Sequence, residues 1–155
     1  MTFKLSARSE EKLIGVDEAL VDVVQHAISL TKQDFSVICG MRTKQEQEAL
    51  VAKGASQTMK SKHLEGKAVD LMAYVAGSGG RWELNLYDEI ADAMAEAASD
   101  LGVTNLRWGA AWHIEDLASW WENNNTAESA MNSYVDLRRS QGRRPFIDAP
   151  HFELV

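Results

Sequence analysis

Cysteine is almost absent from this chain: Cys39 is the single thiol among 155 residues. One thiol excludes an internal disulfide and any cysteine-rich zinc knuckle. It sits in the apolar run Phe35-Ser36-Val37-Ile38-Cys39, with no histidine close by in sequence, and is expected to be a buried strand thiol. No run of about 18 apolar residues occurs, so no membrane-spanning helix and no membrane insertion are expected. Met1 to Arg8 lacks the apolar core of a signal peptide, which predicts synthesis in a cytoplasm. Positive charge is scarce as well. Sixteen Lys and Arg stand against 23 Asp and Glu, a net charge of −7 that argues against a nucleic-acid partner. Gly77-Ser78-Gly79-Gly80 lacks the lysine and following Ser/Thr of a phosphate-binding loop and is expected to be a flexible loop. Internal repeats, low-complexity segments and linkers are also missing. A single domain spanning 1–155 is therefore expected, large enough to bury about two-thirds of its unfolded surface.

Ordered elements show in local signals. Polar residues from Arg8 lead through Leu13-Ile14 to Gly15, predicting a short helical turn and a break. Asp17 is placed to cap a helix to about Thr31, along which Leu20, Val23, Val24, Ala27 and Ile28 recur at helical spacing. His26 has no partner at i±4 and is expected to be a structural or surface histidine. Phe35 to Cys39 predicts a strand, ended by Gly40. Thr43 with Glu46 three residues on forms a capping box for a helix to about Lys53. Residues 54–62 are loop-like, and 67–75 predicts a buried strand. A helix follows from about Asn85 to Leu101, ended by Gly102, and then a strand over Thr104 to Trp108. Helical segments are expected over His113 to Trp121 and from Thr126 to about Ser140, with a loop at Asn123-Asn124-Asn125. Trp120 and Trp121 cannot share one helix face, so one ring is expected to form a lid, groove wall or partner surface, with core packing of both as the alternative. Phe152 to Val155 completes the chain as a strand with His151 at its start.

The chemistry concentrates in two stretches, Ser61 to Asp70 and Asp148 to Val155. Asp70 interrupts an otherwise apolar strand, where a carboxylate is costly unless paired or bound to a cation. His63 lies seven residues earlier, about 23 Å away if the chain were extended, so the chain must reverse between them, and Gly66 suits that turn. A hydrolytic zinc site needs three protein ligands, an open position and a carboxylate base. His63, Asp70 and His151 could be the ligands, and Asp148 the base, with Pro150 stiffening the segment between base and ligand. Two buried histidines bonded to aspartates without metal would satisfy the same spacing. Glu65 and Glu153 are nearby carboxylates, expected to support the site from behind or to lie at the surface. Arg42, at a strand-to-helix corner, could point across the end of the sheet or into solvent.

The combination Ser61-x-His63-x-x-Gly66-x-Ala68-x-Asp70 with Asp148-x-x-His151-Phe152 resembles the M15 zinc peptidases, which include D-alanyl-D-alanine carboxypeptidases and phage L-alanyl-D-glutamate endopeptidases. Gly15-Val16, Gly40-Met41-Arg42-Thr43 with Gln47, and Leu106-Arg107-Trp108-Gly109 resemble the endopeptidase branch in the same order. The similarity covers residues 13–112 and 147–155. It implies Zn2+ on His63, Asp70 and His151, Asp148 as catalytic acid/base, and Arg42 and Ser61 at the substrate. The implied fold is α+β, a small, mainly antiparallel sheet with packed helices and the zinc groove on the sheet. The implied substrate is the stem peptide of bacterial peptidoglycan.

Two departures stand out. Ala110-Ala111-Trp112 replaces the Gly-Asp-Trp common in that branch, and more than thirty residues separate it from Asp148. A helical insertion at about 112–144 is thus expected to add a lid or wall to the groove, with His113 at the surface or in the groove. The leading expectation is an endolysin-type L-alanyl-D-glutamate endopeptidase, monomeric, made in a host cytoplasm and acting on the wall once the membrane is permeabilised. A D,D- or L,D-carboxypeptidase and a non-catalytic wall-binding metal protein are the alternatives.

Overall fold

Apolar side chains on alternate strand positions and on one helical stripe decide the layering. The computed structural model describes residues 2–56 and 58–155; position 57 of the expected 54–62 loop lies outside them. Strands β1 (Phe35–Cys39), β2 (Ala68–Val75), β3 (Gly79–Arg81), β4 (Leu106–Trp108) and β5 (His151–Leu154) form one antiparallel sheet. The order is β1-β2-β5-β4, with β3 also on β2. Helices α1 (Ala7–Lys12), α2 (Glu18–Leu30), α3 (Lys44–Ala52), α4 (Leu84–Leu101), α5 (Leu117–Asn124) and α6 (Glu128–Ser140) complete the α+β fold.

One sheet face is the core. Phe35, Val37, Val69, Leu71, Phe152, Leu106 and Trp108 are buried there with Leu20, Val23 and Val24 of α2 and Ile90 and Met94 of α4. The opposite face carries the residues between them. Asp70 stands across from His151 on β5 and from Cys39 on β1. A register shift between Val37 and Cys39 brings Cys39 onto this face, since a one-residue slip reverses a side chain's direction. The sheet therefore has an apolar side under helices and a polar side carrying the candidate site.

Local expectations map closely onto these elements. Asp17 Oδ1 accepts from Ala19 N at 2.9 Å at the start of α2, and Thr43 and Glu46 form both halves of the capping box before α3. Gly66 ends a short 3-10 helix (Lys62–Glu65) in the left-handed conformation, φ 70°, which is the reversal that brings His63 back over Asp70. Three regions differ. Gly79-Gly80-Arg81 is paired to β2 instead of looping freely, because the Tyr87 hydroxyl donates to Arg81 O at 2.7 Å and Gly80 leaves room for the Met72 sulfur. Residues 113–116 are irregular and the helix begins only at Leu117, since the Asp116 carboxylate accepts from Ser119 N and caps it there. Trp120 and Trp121 both pack against the core, with the Trp120 indole donating to Ser129 Oγ. Wedged between α4 and α6, α5 has apolar neighbours on two sides, so neither ring is left to form a lid.

The approach of β4 to the last turn requires Gly109. Its N–H donates to His151 O at 2.7 Å and its carbonyl accepts from Asp148 N at 2.8 Å. A Cβ at this position would collide with Asp148 O and stand 3.0 Å from His151 Cβ. Gly109→Ala is expected to cost about 1–3 kcal/mol, the usual range for overpacking, and to lower the thermal unfolding midpoint measured by calorimetry.

Candidate active site

Four side chains named from the sequence converge on the polar sheet face. Asp70 is central: its Oδ2 lies 3.3 Å from His63 Nε2 and its Oδ1 lies 3.1 Å from His151 Nδ1. The two imidazole rings stand edge to face, 5.2 Å between centroids. An Asp148 carboxylate oxygen lies within 4.8 Å of donor atoms on both Asp70 and His151. Asp148 is held there by backbone bonds to Gly109, while Trp108 Nε1 donates to Ala149 O at 2.7 Å and Leu71 N donates to Pro150 O at 2.9 Å. Base and ligand candidate thus sit on one clamped turn.

The far nitrogens of both histidines are committed. His63 Nδ1 lies 2.8 Å from Gly40 O, and a carbonyl only accepts, so that nitrogen carries the proton. His151 Nε2 lies 2.8 Å from Glu153 Oε1, and Arg107 bonds the other oxygen of that carboxylate at 2.7 Å. These partners leave His63 Nε2 and His151 Nδ1 to face Asp70, with the outer hydrogen bonds that metal-bound histidines have. Two nitrogen donors and a carboxylate suit zinc, with a position left over for water. A second group, Cys39 with His63 and Asp70, also has donor atoms within 4.8 Å of one another. The protonated Nδ1 of His63 faces Cys39 at 3.6 Å, so the thiol meets the ring at its N–H and not at the lone pair of Nε2.

Arg42 turns inward at its corner. Its guanidinium donates to Gln47 Oε1 at 2.6 Å and to Cys39 Sγ at 3.2 Å, and its backbone N–H donates to His63 O at 2.9 Å. Gln47 is fully buried and spends its amide on Ser56 and Thr58. Ser61 Oγ accepts from His63 N at 3.2 Å, capping the turn that carries the first histidine.

Sequence reading gave Cys39 only a packing role and left Glu153 undecided. Cys39 lies against His63 and Arg42, and no local pattern signals this because its neighbours are far along the chain. Buried Glu153 locks the His151 ring; its alternation with His151 across Phe152 was the available signal. Trp112 was another omission: its ring is 5.5 Å from His151, stacks on Phe146 at 6.1 Å, and lies under Arg107 at 5.7 Å. Ala110 and Ala111 are fully buried, so the position of the missing aspartate lies in the core. The other histidines lie apart: His113 pairs with Ser133, and His26 with Asp100. Glu65 is exposed beside Lys62.

The model of the phage L-alanyl-D-glutamate peptidase family matches residues 1–130. The chain belongs to that family. It is also similar to the L-alanyl-D-glutamate peptidase of Escherichia phage T5, with 33% identity over 116 residues, which is 73% of this chain and 84% of that protein. Among solved structures it resembles the Serratia marcescens L-Ala D-Glu endopeptidase ChiX at a TM-score of 0.70 and 32% identity, covering 99% of this chain and 90% of that one. The family match ends before Asp148 and His151, whereas the structural likeness extends over almost the whole chain.

Charge in this peptidase site is balanced around Asp70. Burial alone would depress both histidines, but hydrogen bonds to Asp70 outweigh it and raise His63 to about 10 and His151 to about 9. Asp70 goes the other way: burial would raise it, and the two histidines hold it well below the usual carboxylate range. Burial pushes Asp148 up. Raised histidines stabilise the metal-free fold fully below their unfolded value near 6.5, and that contribution is lost as pH climbs through 9 to 10. Depressed Asp70 contributes above about 3.8, and the contribution fades as pH falls. In chelator, thermal midpoints should therefore decline on the alkaline side, while added zinc should raise them more at pH 8 than at pH 6, because its ligands must be deprotonated. Glu153→Gln should weaken zinc affinity roughly ten- to a hundredfold by competition titration.

Proposed function

We propose that the protein is a zinc-dependent endopeptidase that hydrolyses the L-alanyl-D-glutamyl bond of the peptidoglycan stem peptide. Zinc is held by His63, Asp70 and His151, and Asp148 is the general acid/base. The observation that carries this reading is the Asp70 cluster. Two imidazoles with committed outer nitrogens face one carboxylate, and a second carboxylate on a clamped turn stands within 4.8 Å. Membership of a peptidase family supports it independently.

Zinc supplies Lewis acidity toward the scissile carbonyl and makes a water easier to deprotonate. The protein's own groups do the rest. Asp148 accepts the proton of the attacking water and returns it to the leaving amine nitrogen; its burial-raised pKa keeps the return transfer favourable. Glu153, braced by Arg107, keeps the His151 ring oriented. Arg42, its guanidinium held by Gln47 and Cys39, offers a fixed cation to a substrate carbonyl or carboxylate. Ser61 lines the same cleft beside His63. The chain works as one monomeric peptidase domain, with α5 and α6 as its helical insertion. No helix among the described residues is long and apolar enough to cross a membrane, and access to the wall follows permeabilisation of the host membrane.

Mass spectrometry of digested peptidoglycan tests this. New N-terminal D-glutamate that disappears with chelator is the expected result. Release of terminal D-alanine instead would make the enzyme a carboxypeptidase, and no chelator-sensitive product would make it a wall-binding protein. Asp148→Ala should lower turnover roughly a hundred- to ten-thousandfold with zinc content intact. Full activity in that variant would remove Asp148 from its assigned role.

A further inference from the structure

The polar sheet face does not end at the metal ligands. Beyond Asp70 along β2 a groove of about 370 Å³ lies between α1 and strands β1 and β2, a volume in the range of small-ligand sites. Its floor and walls include Ser36, Ile38, Met72 and Tyr74, and its α1 side carries Arg8 and Lys12. Met72 and Tyr74 follow Asp70 at alternate positions on β2, so they share its face. From Asp70 to Tyr74 the strand advances roughly 13 Å, the reach of about four extended peptide residues.

Charge singles this groove out. The chain has 23 acidic and 16 basic residues, yet the groove lining holds two cations and no carboxylate. Neither Arg8 nor Lys12 enters an ion pair among the described residues. The helix that carries them is fixed to the sheet edge: Ser9, buried, accepts from Val37 N at 3.0 Å through its hydroxyl. Tyr74 and Ile38, 43% and 38% exposed, give the groove apolar surfaces beside its cations.

We propose that this groove is a substrate subsite, and that Arg8 and Lys12 bind a carboxylate on the C-terminal part of the stem peptide, two to three residues beyond the scissile bond. The assignment rests on the endopeptidase reading. In an L-alanyl-D-glutamyl substrate only one amino acid precedes the cut, and the remaining peptide, with its terminal carboxylate, follows it. A cationic groove whose floor begins at Met72, two residues along β2 from Asp70, matches that acidic end.

Binding tests the subsite separately from cleavage. In zinc-loaded protein carrying Asp148→Ala, calorimetry would compare the tetrapeptide L-alanyl-γ-D-glutamyl-L-alanyl-D-alanine, with a free C-terminal carboxylate, against its C-terminal amide. Adding R8Q and K12Q should weaken the free acid about five- to tenfold, the scale of two solvent-exposed ion pairs, and leave the amide unchanged. Charge-keeping R8K and K12R should restore tight binding, which excludes a folding defect as the cause. The preference for free acid over amide should also shrink as salt rises. Equal affinities for acid and amide, or equal loss of both in R8Q/K12Q, would overturn the subsite. If the acid preference holds but unsubstituted enzyme releases no N-terminal D-glutamate from peptidoglycan, the groove stands as a carboxylate site and the cleavage reading falls.

Discussion

A half-buried carboxylate between two imidazoles is the constraint on which this structure depends. Asp70 is the one charged residue of β2, on the face turned away from the core, and its charge is offset by His63 and His151 at 3.3 and 3.1 Å. That pairing dictates much of the chain's course. Gly66 must reverse the backbone before β2, and the last strand must lie antiparallel to β2 with His151 opposite Asp70. The same arrangement sets one imidazole nitrogen against each oxygen of Asp70, a donor set of the kind that zinc takes.

Outer contacts keep those donors in place, and small residues permit them. Gly40 offers its carbonyl to His63 while packing against Lys12 O, where a Cβ would collide. Gly109 grips the Asp148–His151 turn from both sides through its own N–H and carbonyl. Between them these two glycines tie α1, β1, β4 and the C-terminal turn to the site. The placement of Asp148 relative to His151 is thus a property of backbone geometry, which side-chain motion alone does not relax.

The two faces of the sheet divide the labour. Helices α2 and α4 cover the apolar face and α5 packs on α4, so α5 thickens the helical layer. Leu117, Ala118, Ala127 and Ala130 join the common core. Trp112 before α5 and Phe146 after α6 stack on one another beside His151. The polar face carries the proposed catalytic groups and, further along β2, the cationic groove, so one surface can serve both roles proposed for it.

Local features were legible without a structure. The Asp17 cap, the Thr43–Glu46 box, the Gly66 turn and the stripe of α2 all rest on interactions within one or two turns of chain, and residue type alone determines those. The anomaly of Asp70 was visible for the same reason, and the resemblance supplied its partners. Tertiary structure alone decided that Cys39 meets His63 and Arg42, that Glu153 locks the His151 ring, that Gly79–Arg81 pairs as a strand, and that both tryptophans of α5 turn inward. Each depends on strand register or helix packing between residues distant in the chain. A one-residue slip in register would turn these side chains to the other face, and no local pattern specifies which register the assembled core selects.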